Sequence, residues 1–391
     1  MRQAWAEREP RCVASASCRA CDRRVPSREV QVDTAATIEY MTETDYDVVV
    51  VGGGPAGLTA ALYATRLGQD TAVVDRGGGR AAMMADTHNV IGVTEDVSGV
   101  EFLETATEQV ESYGGDVHRA FVSDIERLSD EDPRFRLETD GESYVAKRVV
   151  LATGFSDARP DPPLPPTGRG LHYCLHCDAY MFVDEPVFVM GAGDSAAYVA
   201  MIMLNFAERV DLLTRGADPE WSDETGELLD NHPVEVVHED VESVDRDESG
   251  WLESFTFTDG TVREYRGGFP MYGSNYNTDL AEQLGCDLTD DGTIDVDDHG
   301  RTSVDGVYAV GDVTPGHNQI PVAMGQGAKA GIDIHMDLRA FPRSLDEIAE
   351  RGSVDGSEVP AVSPDLLATA VAHHGHAAGP RSDVGSATGD D

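Results

Sequence analysis

Asp47-Val48-Val49-Val50-Val51-Gly52-Gly53-Gly54-Pro55-Ala56-Gly57 passes from a β-branched apolar run straight into a glycine-rich turn. The valine run has the composition of a strand buried on both faces, as in a parallel sheet. Gly52, Gly54 and Gly57 hold the three glycine positions of GxGxxG, with Pro55 and Ala56 between the last two. Residues 58–67 read as the helix that comes next, and Thr71-Ala72-Val73-Val74-Asp75 as the second strand, closing on an acid. Asp75 lies 18 residues after Gly57, close to the spacing at which a carboxylate accepts from ribose hydroxyls. Glycines let the backbone approach a pyrophosphate, and the helix N-terminus offers it N–H donors. A lone GxGxxG is weak evidence. Strand, glycines, helix, strand and acid in register specify a dinucleotide-binding unit.

The pattern then repeats downstream. Val187-Phe188-Val189-Met190 is a strand, Gly191-Ala192-Gly193-Asp194-Ser195-Ala196 fits GxGxxA, residues 197–207 read as a helix and 210–213 as a second strand. Where the ribose acid would fall stands Thr214, followed by Arg215. With no acid there, recognition of a 2′-hydroxyl is unsupported, whereas an arginine suits a 2′-phosphate. Residues 159–170, with five prolines and two glycines, have linker composition and mark one hinge. Residues 234–268 are strand-like and acidic, and 269–277 make the return crossing. Residues 307–310 form a strand leading into Gly311-Asp312. Residues 319–338 read as a closing helix, with Gly325, Gly327 and Gly331 weighing against it. The expected fold is α/β: two Rossmann-like dinucleotide-binding domains of three ββα layers, the second inserted into the first. Residues 45–157 and 275–343 form the first domain and 158–274 the second.

Between the two loops lies Cys174-Leu175-His176-Cys177-Asp178. CxxC beside a βαβ pattern reads as a dithiol/disulfide redox centre. Zinc is the alternative. His172 and His176 could add nitrogens, but no second Cys/His pair with ligand spacing lies nearby, so no metal is expected.

Composition bounds the rest. The 391 residues carry 72 acids against 29 bases, a formal net charge of -43, and Lys147 and Lys329 are the only lysines. Such a charge repels nucleic acid and anionic membranes, and suits a protein kept soluble in a very salty cytoplasm. No apolar run is long enough to span a bilayer. Six cysteines are too few for a disulfide scaffold at this length, so a cytoplasmic protein with one working pair is expected. Residues 1–44 read as a disordered extension. The first 40 hold seven arginines, six acids and Cys12, Cys18 and Cys21, without a signal-peptide pattern, and Met41 would open directly onto the first strand. Residues 344–391 turn to Gly, Ser, Ala, Pro and acids and read as a disordered tail in which His373, His374 and His376 do nothing specific.

The order of motifs over residues 45–340 resembles the low-molecular-weight thioredoxin reductase family of FAD-dependent pyridine nucleotide–disulfide oxidoreductases. The resemblance is carried by the Gly52–Gly57 loop, Ala152-Thr153-Gly154, Cys174-Leu175-His176-Cys177-Asp178, the Gly191–Ala196 loop and Gly311-Asp312. It implies FAD held by Gly52, Gly54, Pro55, Ala56, Gly57 and Asp75, with Thr153 nearby. Asn89, Gly311, Asp312, Gln319 and Ile320 would lie along the flavin and its ribityl chain. It implies NADPH on Gly191, Gly193, Asp194, Ser195 and Arg215. Electrons would pass from NADPH through FAD to Cys177 beside the flavin, and Cys174 would attack a thioredoxin-like protein disulfide. Asp178 would be the proton donor and acceptor. The inserted domain would rotate about linkers near 155–170 and 269–274, in a homodimer. The sequence departs from the family at the 2′-phosphate cluster, where Thr214-Arg215-Gly216 supplies one arginine and Asp218 and Glu220 supply none. A flavin dithiol oxidase, or a relative fed by ferredoxin or NADH, would use the same cysteines.

Overall fold

The computed structural model describes residues 43–160, 164, 167–359 and 364–373. The expectations for residues 1–42 and 374–391 lie outside them. The first strand runs Glu43–Val51, so Glu43 and Thr44 belong to the fold rather than to the extension. Val48, Val49 and Val50 are fully buried, as a strand covered on both faces requires. This strand sits between Thr71–Asp75 and Ser143–Leu151, parallel to both. The whole sheet runs Asp116–Arg119, Thr71–Asp75, Glu43–Val51, Ser143–Leu151, Arg134–Glu138, Asp124–Ser129. The long strand Ser143–Leu151 is shared: its first half pairs antiparallel with Arg134–Glu138, its second half parallel with Val307–Ala309.

That last pairing is the long-range one. It brings chain from beyond residue 300 back beside the first glycine loop. A second sheet, all parallel, lies between in sequence: Val234–Val237, Arg209–Leu213, Pro186–Met190, Gly267–Pro270. A three-stranded antiparallel sheet of Val241–Arg246, Leu252–Phe257 and Val262–Glu264 packs with it around Phe188, Phe255, Phe257 and Tyr265. The chain thus builds one dinucleotide fold, leaves it, builds another, and returns. The two crossings pair with each other as a short antiparallel ribbon, Phe155–Asp157 against Ser274–Tyr276.

The helix Pro55–Arg66 covers one face of the first sheet, and the helix Ile320–Leu338 packs across it. Gly327 and Gly331 permit that packing. A Cβ on Gly327 would stand 2.2 Å from the Ala56 carbonyl oxygen, and one on Gly331 would stand 2.7 Å from that of Ala60. The glycines that count against the helix by propensity are what lets it lie close to its neighbour.

The tail differs from its compositional reading. Leu345–Arg351 is a helix closed by a capping box, with Ser344 accepting from the Glu347 N–H and Glu347 from that of Ser344. Pro364–Ala372 is another helix. His373 just beyond it stacks on Tyr113 with centroids 3.8 Å apart, and shares a 2.8 Å hydrogen bond with the Ser112 carbonyl. Averaged composition hid two local start signals: Ser three residues before Glu, and Pro at a first helical position.

Candidate functional site

The first glycine loop forms because only glycine fits it. Gly52 has φ +112°, and a Cβ there would lie 2.3 Å from the Ala152 carbonyl oxygen. Gly57 closes the helix onto the strand, its missing Cβ falling 2.0 Å from the Gly52 oxygen. Gly54, at the N-cap, faces open space, which is the approach a pyrophosphate needs. Asp75 accepts from the Gly53 N–H at 2.9 Å, so its carboxylate is aimed along the loop.

These groups open onto a cavity of about 460 Å³. It is lined by Gly52, Gly54, Pro55, Ala56, Asp75, Asn89, Thr153, Cys174, Cys177, Asp178, Gly311, Asp312, Gln319 and Ile320, residues drawn from positions 52 to 320 of the sequence. Gly57 acts from behind, in packing. Gly191, Gly193, Asp194, Ser195 and Arg215 lie elsewhere, at the second loop. Across the cavity, Cys174 and Cys177 are joined as a disulfide. Cys174 caps a single helical turn, Leu175–Asp178, with its sulfur accepting from the Cys177 N–H at 3.1 Å. Gln319 Nε2 points at the Cys174 sulfur at 3.3 Å, while Gln319 Oε1 accepts from Asn89 Nδ2 at 2.9 Å. One amide therefore ties the disulfide to the wall of the first domain. Among the described residues no group of three or more His, Cys, Asp or Glu side chains is arranged to hold a metal ion.

Two groups have partners that the sequence did not assign them. His172 is buried, with its ring edge-on to Phe182, and its Nδ1 lies 2.8 Å from Asp178 Oδ2. The carboxylate beside the cysteines is thus held from the buried side, and His172 Nε2 has no protein partner among the described residues. Arg80 grips Asp157 with two hydrogen bonds, of 2.8 and 3.0 Å, and lies over the Phe155 ring. It fixes the outgoing crossing strand at the cavity mouth. The histidine two residues before CxxC was a visible signal, read as a possible ligand. For Arg80 the sequence holds no signal, because its partner is 77 residues away.

Asp312 is largely buried, and burial raises its carboxyl above the usual carboxylate range, with the Arg80 charge opposing. Thr153 and Asn277 fasten the two crossings: Thr153 Oγ1 donates to the Asn277 carbonyl at 2.7 Å, and Asn277 Nδ2 to the Thr153 carbonyl at 2.8 Å.

At the second loop, Gly191 has φ +144° and a Cβ there would meet the Met271 carbonyl oxygen at 2.9 Å, while Gly193 faces open space. Asp194 accepts from Ser222 N–H at 2.9 Å, and such hydrogen bonds, first that from Thr225, hold its carboxyl low. Arg215 is turned into a 2.8 Å ion pair with Asp240.

Two dinucleotide folds with a disulfide in the cavity of the first define a nucleotide-dependent dithiol/disulfide oxidoreductase. The sequence profile of the family described as "Pyridine nucleotide-disulphide oxidoreductase" matches residues 46–327. The thioredoxin reductase of Peptoclostridium litorale is 31% identical over 310 residues, covering 74% of this chain and 96% of its own length. That of Helicobacter pylori is 31% identical over 306 residues, covering 74% and 97%. Among solved structures, the thioredoxin reductase of Streptococcus pyogenes superposes with TM-score 0.70 at 30% identity, over 77% of this chain and 100% of its own. The Giardia duodenalis thioredoxin reductase gives 0.66 at 26% identity, over 75% and 98%. The chain belongs to the low-molecular-weight thioredoxin reductase family of pyridine nucleotide–disulfide oxidoreductases. It is a flavoprotein disulfide reductase that uses a pyridine nucleotide.

Proposed function

We propose that the flavin is FAD, that the electron source is a reduced pyridine nucleotide at the second loop, and that the substrate is the disulfide of a thioredoxin-like protein. The observation that carries this reading is the Cys174–Cys177 disulfide lining the same cavity as the first glycine loop. The residues present fit FAD. Gly54 leaves room for a pyrophosphate, Asp75 offers a carboxylate to ribose, and Asp312 and Asn89 lie further along the cavity. A bound flavin supplies two-electron exchange with the disulfide.

The chain's own residues do the rest. Opening the disulfide with two electrons and one proton leaves one thiol and one thiolate. Asp178 would give the proton to Cys174, with His172, 2.8 Å away, holding the carboxylate. After the proton returns to Asp178, the Cys174 thiolate attacks a sulfur of the partner's disulfide and forms a mixed disulfide. Cys177 then attacks the Cys174 sulfur, restores the internal disulfide and releases the partner, whose two sulfurs take up the Asp178 proton and one from solvent to give the dithiol. Cys174 is only partly exposed beside Gln319, so this exchange requires the inserted domain to turn about the ribbon of Phe155–Asp157 and Ser274–Tyr276.

The test is Cys174→Ser. It should abolish reduction of a thioredoxin disulfide and leave the flavin bound and reducible by dithionite. Retained turnover overturns the assignment. NADPH, the donor expected from the resemblance, meets a second loop whose arginine is already paired.

A further inference from the structure

The second loop carries an inference about the donor, and it rests on the proposal that a reduced pyridine nucleotide feeds the flavin. The loop leaves the room a dinucleotide backbone needs, with Gly193 facing open space. The turn at the end of the second strand does not accept a 2′-phosphate. Thr214 is buried, with its hydroxyl 3.3 Å from His238 Nδ1. Arg215 comes next, in the left-handed region at φ 54°. Its Nε donates to Asp240 Oδ1 at 2.8 Å, and its side chain is 6% exposed. Its Nη2 is sealed from solvent and has no hydrogen-bond partner among the described residues. A phosphate oxygen reaches that nitrogen only if the side chain leaves Asp240.

Asp240 is held in turn, since its Oδ1 also accepts from the Val241 N–H at 2.7 Å. On the other side, the Glu220 N–H donates to the Ala192 carbonyl at 2.7 Å, which fastens an acidic residue beside the glycine loop. Residues 214–240 contain nine acids and one arginine. A 2′-phosphate brings close to two negative charges into this field, whereas a 2′-hydroxyl brings none.

We propose that Asp240 is a specificity-determining residue: by pairing with Arg215 it withdraws the cation a 2′-phosphate would need, and the enzyme takes electrons from NADH in preference to NADPH. The arginine that suggests NADPH in the sequence is spent on an internal ion pair.

The test uses the full-length, FAD-loaded protein under anaerobic conditions, with bleaching of the flavin band by NADH, NADPH or dithiothreitol as the readout. Wild type should show a kcat/KM for NADH roughly tenfold or more above that for NADPH, the size of one charged hydrogen bond. Asp240→Asn keeps an acceptor for Val241 while removing the charge, and Asp240→Ser shortens the side chain. Either should lower the NADH/NADPH ratio by roughly tenfold through a gain with NADPH. Thermal melts identify which variant is folded. A wild type that prefers NADPH overturns the proposal, as does an unchanged ratio in a folded variant. Bleaching by dithiothreitol but by neither nucleotide also overturns it, and leaves the disulfide chemistry standing. Bleaching by NADH but not by dithiothreitol supports it, and overturns the role given to Cys174 and Cys177.

Discussion

His172 shows what a single residue's place in the fold adds to its place in the sequence. Beside CxxC it reads as a spare ligand; in the structure it is a buried donor to Asp178. The cysteine pair was legible because CxxC spacing announces it, whereas the role of His172 depends on the chain doubling back. His172→Phe removes the donor and leaves a partly buried carboxylate without its partner. Thioredoxin-disulfide reduction should slow by roughly 10- to 100-fold, while His172→Asn, which can still donate from the Nδ1 position, should recover most of the rate. Equal rates in both variants would remove His172 from the proton path. Asp312 gives a prediction in pH. Burial raises its carboxyl, so the folded apoprotein binds a proton that the unfolded chain releases. Stability then falls as pH rises from the unfolded carboxylate value through the folded one, and is flat above it. Above both values the ionised group is a net cost, and there Asp312→Asn should raise the apoprotein Tm by a few degrees, on the order of 1 kcal/mol, while weakening flavin retention. An apoprotein Tm that is unchanged or lower in that range counts against the buried-charge argument.

The closing helix Ile320–Leu338 carries the same lesson at the scale of elements. Propensity alone weighs all its glycines equally, and they are not equal. Gly325 is exposed, with nothing within 4 Å of an added Cβ, whereas Gly327 is buried against the backbone of Ala56. Gly325→Ala should stabilise the protein by about 1 kcal/mol, the helix-propensity difference. Gly327→Ala should destabilise it by about 1–3 kcal/mol. It should also loosen flavin, because the displaced residues include the first turn after the Gly52–Gly57 loop. Urea melts of the pair, with flavin content measured alongside, check both signs, and a shared sign would sink the packing account. The sheets were legible as elements because β-branched runs and glycine turns are local signals. The pairing of Phe155–Asp157 with Ser274–Tyr276 was not, since two short segments more than a hundred residues apart carry no pattern that announces each other. The helices beyond residue 344 were lost for the opposite reason: a broad average over composition outweighed the Ser344–Glu347 box.

At the scale of the whole molecule the governing quantity is charge, and it was fully legible, since it needs no fold. The net charge of -43 leaves most acids without a cation of their own, and the cations that exist are shared. Arg136 lies within 4.0 Å of Glu43, Glu126 and Glu138, and Arg263 serves both Asp211 and Glu235. Exposed pairs of this kind contribute little singly, so they do not offset the repulsion among the remaining carboxylates. Screening by salt does. The Debye length falls from about 10 Å at 0.1 M to about 3 Å at 1 M. The folded state, which concentrates these charges, therefore gains more from salt than the unfolded chain. The Tm should rise by roughly 10 °C between 0.1 and 1 M KCl, equivalent to a few kcal/mol, and only slightly between 1 and 3 M. Thermal melts across that series read the shape as well as the size. A Tm independent of KCl would show that the acid excess does not govern stability, and a rise as steep above 1 M as below it would assign the effect to solvent exclusion rather than screening.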